Sequence, residues 1–171
     1  MGPVSLSYER CVEETRAALT HVDGWLSDRE MQFLVTLAAY PTCQGEILEL
    51  GAFHGKSTIA LAKGAMLSDD ATVHTIDPLP TEPLLKNLHQ ARVASQVVHY
   101  QANSPEVTSD WSTPLRLLWH DGANDLETVD DDLTRLTPWL ADGAIVAFHD
   151  VLNTSGMPFF VFADAGLARA H

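Results

Sequence analysis

Apolar positions along the 171-residue chain follow two regimes. Before Gly45 they recur every three or four residues. Tyr8, Cys11, Val12, Thr15, Ala18 and Leu19 share one face of a helix predicted over 7–20. A second helix is predicted through Met31, Leu34, Leu37 and Ala38, ending at Tyr40-Pro41. It opens on Ser27-Asp28-Arg29-Glu30, a capping box in which the hydroxyl and the carboxylate reciprocally satisfy free amides. Both helices are expected to lean on a sheet. From Gly45 onward short apolar runs alternate with helical segments, the signature of an α/β domain with a parallel sheet. Strands are predicted at 46–50, 72–76, 96–100, 115–119 and 144–148, with helices at 57–65, 82–94 and 125–139.

In the last helix Leu126, Val129, Leu133, Leu136 and Leu140 form the apolar stripe. The acidic run Asp130-Asp131-Asp132 is therefore read as a solvated face, not a metal site.

Composition narrows the possible partners. The chain is 46% hydrophobic and 19% charged, an ordinary globular balance, and carries a formal charge of −13. Such a surface repels phosphate backbones and anionic lipid, and the ten Lys and Arg residues are scattered. A small-molecule or protein substrate is expected, with no nucleic acid and no membrane. Cys11 and Cys43 make no disulfide framework, and no apolar run reaches the ~20 residues of a membrane span. One cytoplasmic domain is expected over 1–171, with N-terminal helices over 1–44 and the α/β core over 45–171.

The first strand-to-helix turn, Glu49-Leu50-Gly51-Ala52-Phe53-His54-Gly55-Lys56-Ser57-Thr58, carries the most chemistry. Ligands of open α/β sheets bind beyond the carboxyl ends of strands, where strand order reverses. Gly51 permits an unusual backbone angle or a close approach by a ligand, and Gly55 permits tight helix packing. A dinucleotide turn needs Gly-x-Gly-x-x-Gly, which is absent. A phosphate loop needs Gly-x-x-x-x-Gly-Lys-Ser/Thr, and here the loop is one residue short because Leu50 stands at the first Gly position. Lys56 is then an exposed helix-start lysine, and nucleoside triphosphate binding stays as an alternative. Glu49 suits the cationic amino and sulfonium ends of S-adenosylmethionine and would repel a triphosphate. Asp77, ending the next strand in Ile76-Asp77-Pro78, could accept both ribose hydroxyls. Gly51, Ala52, Phe53, Gly55, Ser57 and Thr58 complete the expected cofactor turn.

Glu49-Leu50-Gly51-x-x-x-Gly55 followed by Asp77 resembles the first motifs of class I S-adenosylmethionine-dependent methyltransferases. Gln101-Ala102-Asn103-Ser104 resembles the family's adenine-flanking segment, which implies cofactor contacts from Asn103 and Ser104. His120-Asp121-Gly122, a helix, Asp142-Gly143 and His149-Asp150 are similar to a small bacterial branch related to metal-dependent sugar and catechol O-methyltransferases.

The resemblance covers about residues 25 to 165 and implies a Rossmann-like sheet in the order 3-2-1-4-5, with helices on both faces. It further implies O-methylation of a small hydroxylated metabolite, such as a sugar or natural product. Asp121 would contact the cofactor and, with His149, act in catalysis. Asp121, His149 and Asp150 would hold a divalent cation such as Mg²⁺ or Mn²⁺; His149 acting as a metal-free base is the alternative.

The chain departs from the branch at Asn124, where the pattern has His, and at Leu126, where it has Tyr. Strands six and seven of the family are expected to be missing. Residues 157–170 read as one helix, or as one short strand over 159–162. These departures keep open a cofactor-binding relative that acts as a partner subunit without turnover. An uncovered strand at 144–148 would be an aggregation hazard, so the tail or the same edge of a second copy, in a homodimer, is expected to cover it.

Overall fold

The computed structural model describes residues 7–122, 125–149 and 163–164. Two N-terminal helices, α1 (Tyr8–Leu19) and α2 (Asp28–Ala39), lead into β1 (Glu46–Leu50) and α3 (Lys56–Ala65). Then come β2 (Val73–Ile76), α4 (Thr81–Gln90), β3 (Val97–Tyr100), α5 (Ser104–Thr108), β4 (Leu115–His120), α6 (Leu126–Leu136), β5 (Leu140–Phe148) and β6 (Ala163–Asp164). The sheet runs β3-β2-β1-β4-β5-β6, with the first five strands parallel and β6 antiparallel to β5. The chain winds outward from β1 to β3 and then crosses back to β4. That reversal opens a crevice at the carboxyl ends of β1 and β4.

Alternating side chains of the strands feed two cores. Ile47, Leu117, Trp119 and Ala147 pack with α1, α2, α3 and α4, while Leu48, Leu50, Leu118 and Val146 pack with Trp111 and Leu136 of α6. Cys11, Val12, Thr15 and Leu19 are buried on α1, as their spacing predicts. The capping box of α2 forms as read, with Ser27 and Glu30 exchanging hydrogen bonds. Among the described residues no helix is long and apolar enough to cross a membrane.

Several expectations are corrected. The helix expected over 82–94 stops at Gln90, and residues 94–96 form a separate 3-10 turn. The helix expected through Trp139 stops at Leu136, and Thr137–Trp139 is a 3-10 turn with Pro138 inside it. Strand β5 starts at Leu140, ahead of the expected 144, because a register shift around Gly143 (φ +86°) lets the chain join β4 early. Leu126 was counted in the apolar stripe of α6 but is 84% exposed. The chain's own β6 pairs with Ile145 and Val146 on the outer edge of β5, so the tail, not a second copy, meets that edge at these positions. Residues 159–162, the alternative strand, lie outside the described residues, as do Asn124 and Asp150.

Helices α2 and α3 touch most closely at Gly64, where an added Cβ would lie 2.5 Å from the Val35 carbonyl oxygen and 2.8 Å from the Ala38 Cβ. Ala is normally the better helix residue by about 1 kcal/mol. Here the backbone clash opposes it, and overpacking costs about 1–3 kcal/mol. Gly64→Ala is expected to lower the thermal midpoint by several degrees in calorimetry; an unchanged or higher midpoint would contradict this packing.

Candidate functional site

The turn after β1 is shaped by backbone contacts. Gly51 adopts φ +87°, and a Cβ there would sit 2.5 Å from the Asp121 carbonyl oxygen and 2.7 Å from the Gly122 Cα. Its bare Cα therefore accommodates the loop after β4. That loop is fixed by the Asp121 amide donating to the Leu50 carbonyl at 2.8 Å. Gly55 (φ +88°) caps α3, and a Cβ there would meet Leu84 of α4 at 2.6 Å. The tight packing expected of Gly55 is thus a contact between helix ends, away from the cleft. Phe53 also has positive φ, at 47°, and its ring stacks on His54 with centroids 3.8 Å apart.

Asp77 closes the turn from β2. Its Oδ2 accepts the amides of Ala52 and Phe53 at 2.8 and 2.6 Å, and its Oδ1 accepts the amide of Leu79 at 2.8 Å. The carboxylate is 6% exposed and lines the cleft. Three of its roughly four lone-pair directions are already taken, which leaves Oδ1 as the oxygen with room for a ribose hydroxyl.

Glu49 is placed differently from the expectation. It is fully buried, does not line the cleft, and accepts the Thr58 hydroxyl on Oε2. Strand alternation turns it under α3, so it cannot grip a cationic ligand directly, and Thr58 is engaged with it there. Burial pushes its pKa up to about 7, opposed by the hydroxyls of Ser57, Thr58 and Thr75 and reinforced by the charge of Asp121.

Lys56 is half-buried, not exposed. Its Nζ donates to the Gly24 carbonyl at 2.9 Å and so ties the loop before α2 to the turn. That loop carries Trp25, 83% exposed, with its ring 5.6 Å from that of Phe53.

Across the crevice two buried histidines meet carboxylates. His120 Nε2 lies 3.1 Å from Asp132 Oδ2, and Ser104 donates to Asp132 Oδ1 at 2.6 Å. Asp132 is 1% exposed, which corrects its reading as part of a solvated face. Asp131, by contrast, does face outward, paired with Arg135 on the same helix.

His149 sits between two acids. Its Nε2 is 3.1 Å from Glu30 Oε1, and its Nδ1 is 3.0 Å from Asp121 Oδ1. Glu30 therefore caps α2 through Oε2 and holds His149 through Oε1. Pattern reading found Glu30 only as a cap. Of the expected metal ligands Asp121 and His149 come together, and Asp150 lies outside the described residues. Among the described residues no group of three or more His, Cys, Asp or Glu is arranged to hold a metal ion.

These groups surround a cleft of about 610 Å³, within the range of small-molecule sites. Gly51, Ala52, Phe53, Ser57, Asp77, Asn103, Ser104, Asp121 and His149 of the expected site line it, together with Asp23, Trp25 and Asp132, which sequence reading missed. Glu49, Gly55 and Thr58 do not line it.

The sequence profile of a family described as "Methyltransferase domain" matches residues 48–151. Among solved structures, cofactor-bound Rv0187 from MTB is similar at 24% identity and a TM-score of 0.68, over 86% of this chain and 66% of that one. The O-methyltransferase TomG from Streptomyces achromogenes, involved in tomaymycin synthesis and solved with SAM, has 23% identity and a TM-score of 0.65, over 94% and 72%. The O-methyltransferase from Bacillus cereus, solved with SAH, has 19% identity and a TM-score of 0.61, over 92% and 74%. The chain thus spans about two thirds to three quarters of these relatives.

The buried Glu49 gives a pH prediction. A carboxyl with a raised folded pKa binds more protons in the folded state than in the unfolded one. Its contribution to stability is present below about pH 4.5 and is lost as pH rises toward about 7. The slope contributed is at most about 1.4 kcal/mol per pH unit. Urea titrations across this window should show a flatter pH dependence for Glu49→Gln than for the unmutated protein, and equal slopes would contradict the burial.

Proposed function

The chain belongs to the methyltransferase-domain family, and from that premise we propose that it binds S-adenosylmethionine and methylates a hydroxyl of a small metabolite. The carrying observation is the charge of the cleft. Among the described residues lining it, Asp23, Asp77, Asp121 and Asp132 face a single lysine or arginine, Lys56, whose Nζ is engaged by Gly24. That donor set favours a cationic nucleoside and disfavours a polyphosphate. On this reading Asp77 Oδ1 takes a ribose hydroxyl, the segment Ala102–Asn103–Ser104 flanks the base and Asp121 meets the amino-acid end, and all of them line the cleft. The SAM and SAH complexes of the similar O-methyltransferases support this choice of cofactor.

When bound, S-adenosylmethionine supplies an electrophilic methyl group on a sulfonium. The chain's part is to bind the acceptor hydroxyl and remove its proton. His149 lies between two carboxylates, Glu30 at 3.1 Å and Asp121 at 3.0 Å, and each can accept a hydrogen bond from an imidazole N–H. Of this pair Asp121 is the more accessible, its side chain 26% exposed against 7% for His149. On this reading the hydroxyl proton passes to the Asp121–His149 pair, with Asp121 nearer the cleft and Glu30 holding the far side of the imidazole. Trp25 and Phe53 give the mouth an apolar wall suited to a small organic acceptor. A natural-product or sugar hydroxyl is the acceptor class this reading favours, and TomG's part in tomaymycin synthesis supports the former. The free cysteines Cys11 and Cys43 suit a reducing, cytoplasmic setting.

Thermal shift with SAM, SAH and Mg-ATP tests the ligand. Saturation with SAH at a hundredfold over Kd should stabilise by about 2.7 kcal/mol, a rise of several degrees. A response to Mg-ATP alone would end this reading.

Transfer itself is tested by incubating the protein and SAM with a panel of hydroxylated acceptors and following SAH release. His149→Ala should keep SAH affinity within about threefold and reduce turnover by roughly 10²-fold or more. Undiminished turnover would remove His149 from catalysis.

A further inference from the structure

The loop before α2 reaches over the turn after β1 and is held there by side chains. Lys56 Nζ donates to the Gly24 carbonyl at 2.9 Å, and a Cβ on Gly24 would lie 3.6 Å from both Lys56 Cδ and Phe53 Cδ1. On either side of that anchor in the chain stand Asp23 and Trp25, and both line the cleft. The Trp25 ring meets the Phe53 ring at 5.6 Å, tilted by 35°, and Phe53 in turn stacks on His54. Asp23 Oδ2 is 3.7 Å from His54 Nδ1, longer than a hydrogen bond. The mouth thus carries a row of three rings, Trp25, Phe53 and His54, with a carboxylate at the histidine end.

On the proposed reading Asp77 and Asp121 serve the cofactor, while Asp132 is engaged by Ser104 and His120. Among the described lining residues Asp23 is the remaining acid, its side chain 87% exposed, and Trp25 belongs to the same short loop. We propose that Asp23 and Trp25 select the methyl acceptor, and that this acceptor carries a protonated amine besides the hydroxyl it offers for methylation. The proposal rests on the reading of the cleft as a methyltransferase site.

The chemistry is a match of charge and surface. An ammonium group is attracted both to the negative face of an indole and to a carboxylate. A neutral acceptor gains only its contact with the rings, and an anionic one meets Asp23 as a like charge. Both selecting residues lie upstream of residue 48, where the family profile begins, so the selection belongs to this chain's own loop.

Calorimetry on the full chain saturated with S-adenosylhomocysteine tests this with two matched sets. One is tyramine, para-ethylphenol and para-hydroxyphenylacetate; the other is glucosamine beside glucose. In at least one set the amine should bind about tenfold or more tighter than its neutral counterpart, and the gap should narrow as salt is raised. Asp23→Asn should bring that ratio to about threefold or less, and Asp23→Glu should restore it. Trp25→Leu should weaken the amine about threefold or more.

Both side chains are exposed, so neither substitution opens the core. A merely structural role would weaken amine and neutral ligand alike and leave their ratio unmoved. Binding of neither amine, no preference for the amine in either set, a ratio unmoved by Asp23→Asn, or an amine affinity unmoved by Trp25→Leu would each overturn the proposal. The methyltransferase reading would survive any of these as long as S-adenosylhomocysteine binds. Failure to bind S-adenosylhomocysteine would overturn that reading, and the proposal with it.

Discussion

The carboxylate of Asp77 holds the first turn in place, and the cleft takes its shape from that turn. Ala52, Phe53 and Leu79 all point their amides at it, so a loop with no regular hydrogen bonding is fixed from the end of the neighbouring strand. Buried amides without acceptors would cost roughly 1–3 kcal/mol each. One anion meets three of them at once, and charge-assisted bonds are the stronger kind. Gly51 completes the arrangement from the other side by admitting the backbone of Asp121 and Gly122 where a side chain would stand. The ends of β2 and β4, each followed by an acid, are thereby fixed on either side of the turn after β1.

A protein with a formal charge of −13 concentrates acids around its cleft without an equal supply of lysine and arginine. The buried histidines resolve this locally. His120 meets Asp132, and His149 meets both Asp121 and Glu30. Buried carboxylates are costly unless hydrogen-bonded, and imidazole N–H groups can supply those bonds.

The strands from β1 to β5 and the order of elements were legible because buried parallel strands read as short apolar runs between helical periods. The five-residue α5 was not, being too short to show a period. Asp77 was legible from its place at a strand end, and Asp121 and Ser104 through the family resemblance; all three line the cleft. Glu49 was legible as important but not as buried, since the direction of its side chain depends on which face α3 covers. Asp132 was misread because the acidic run drew attention as a block. Helical spacing puts Asp132 four residues before the buried Leu136, whereas Asp130 and Asp131 turn outward. Glu30 was legible only as a cap, because its second partner lies 119 residues away and no local pattern encodes that distance.

That long reach affects where the catalytic unit begins. The family profile starts at residue 48, downstream of α2. Yet the acid that orients His149 stands at the first turn of α2, and Lys56 ties the preceding loop to the glycine turn. An excised or recombined core that respected the profile's boundary would uncover one face of its sheet and lose the carboxylate paired with His149. The leading helices supply one partner of a cleft-lining side chain, and any chimera or minimal version must carry them along to keep that contact.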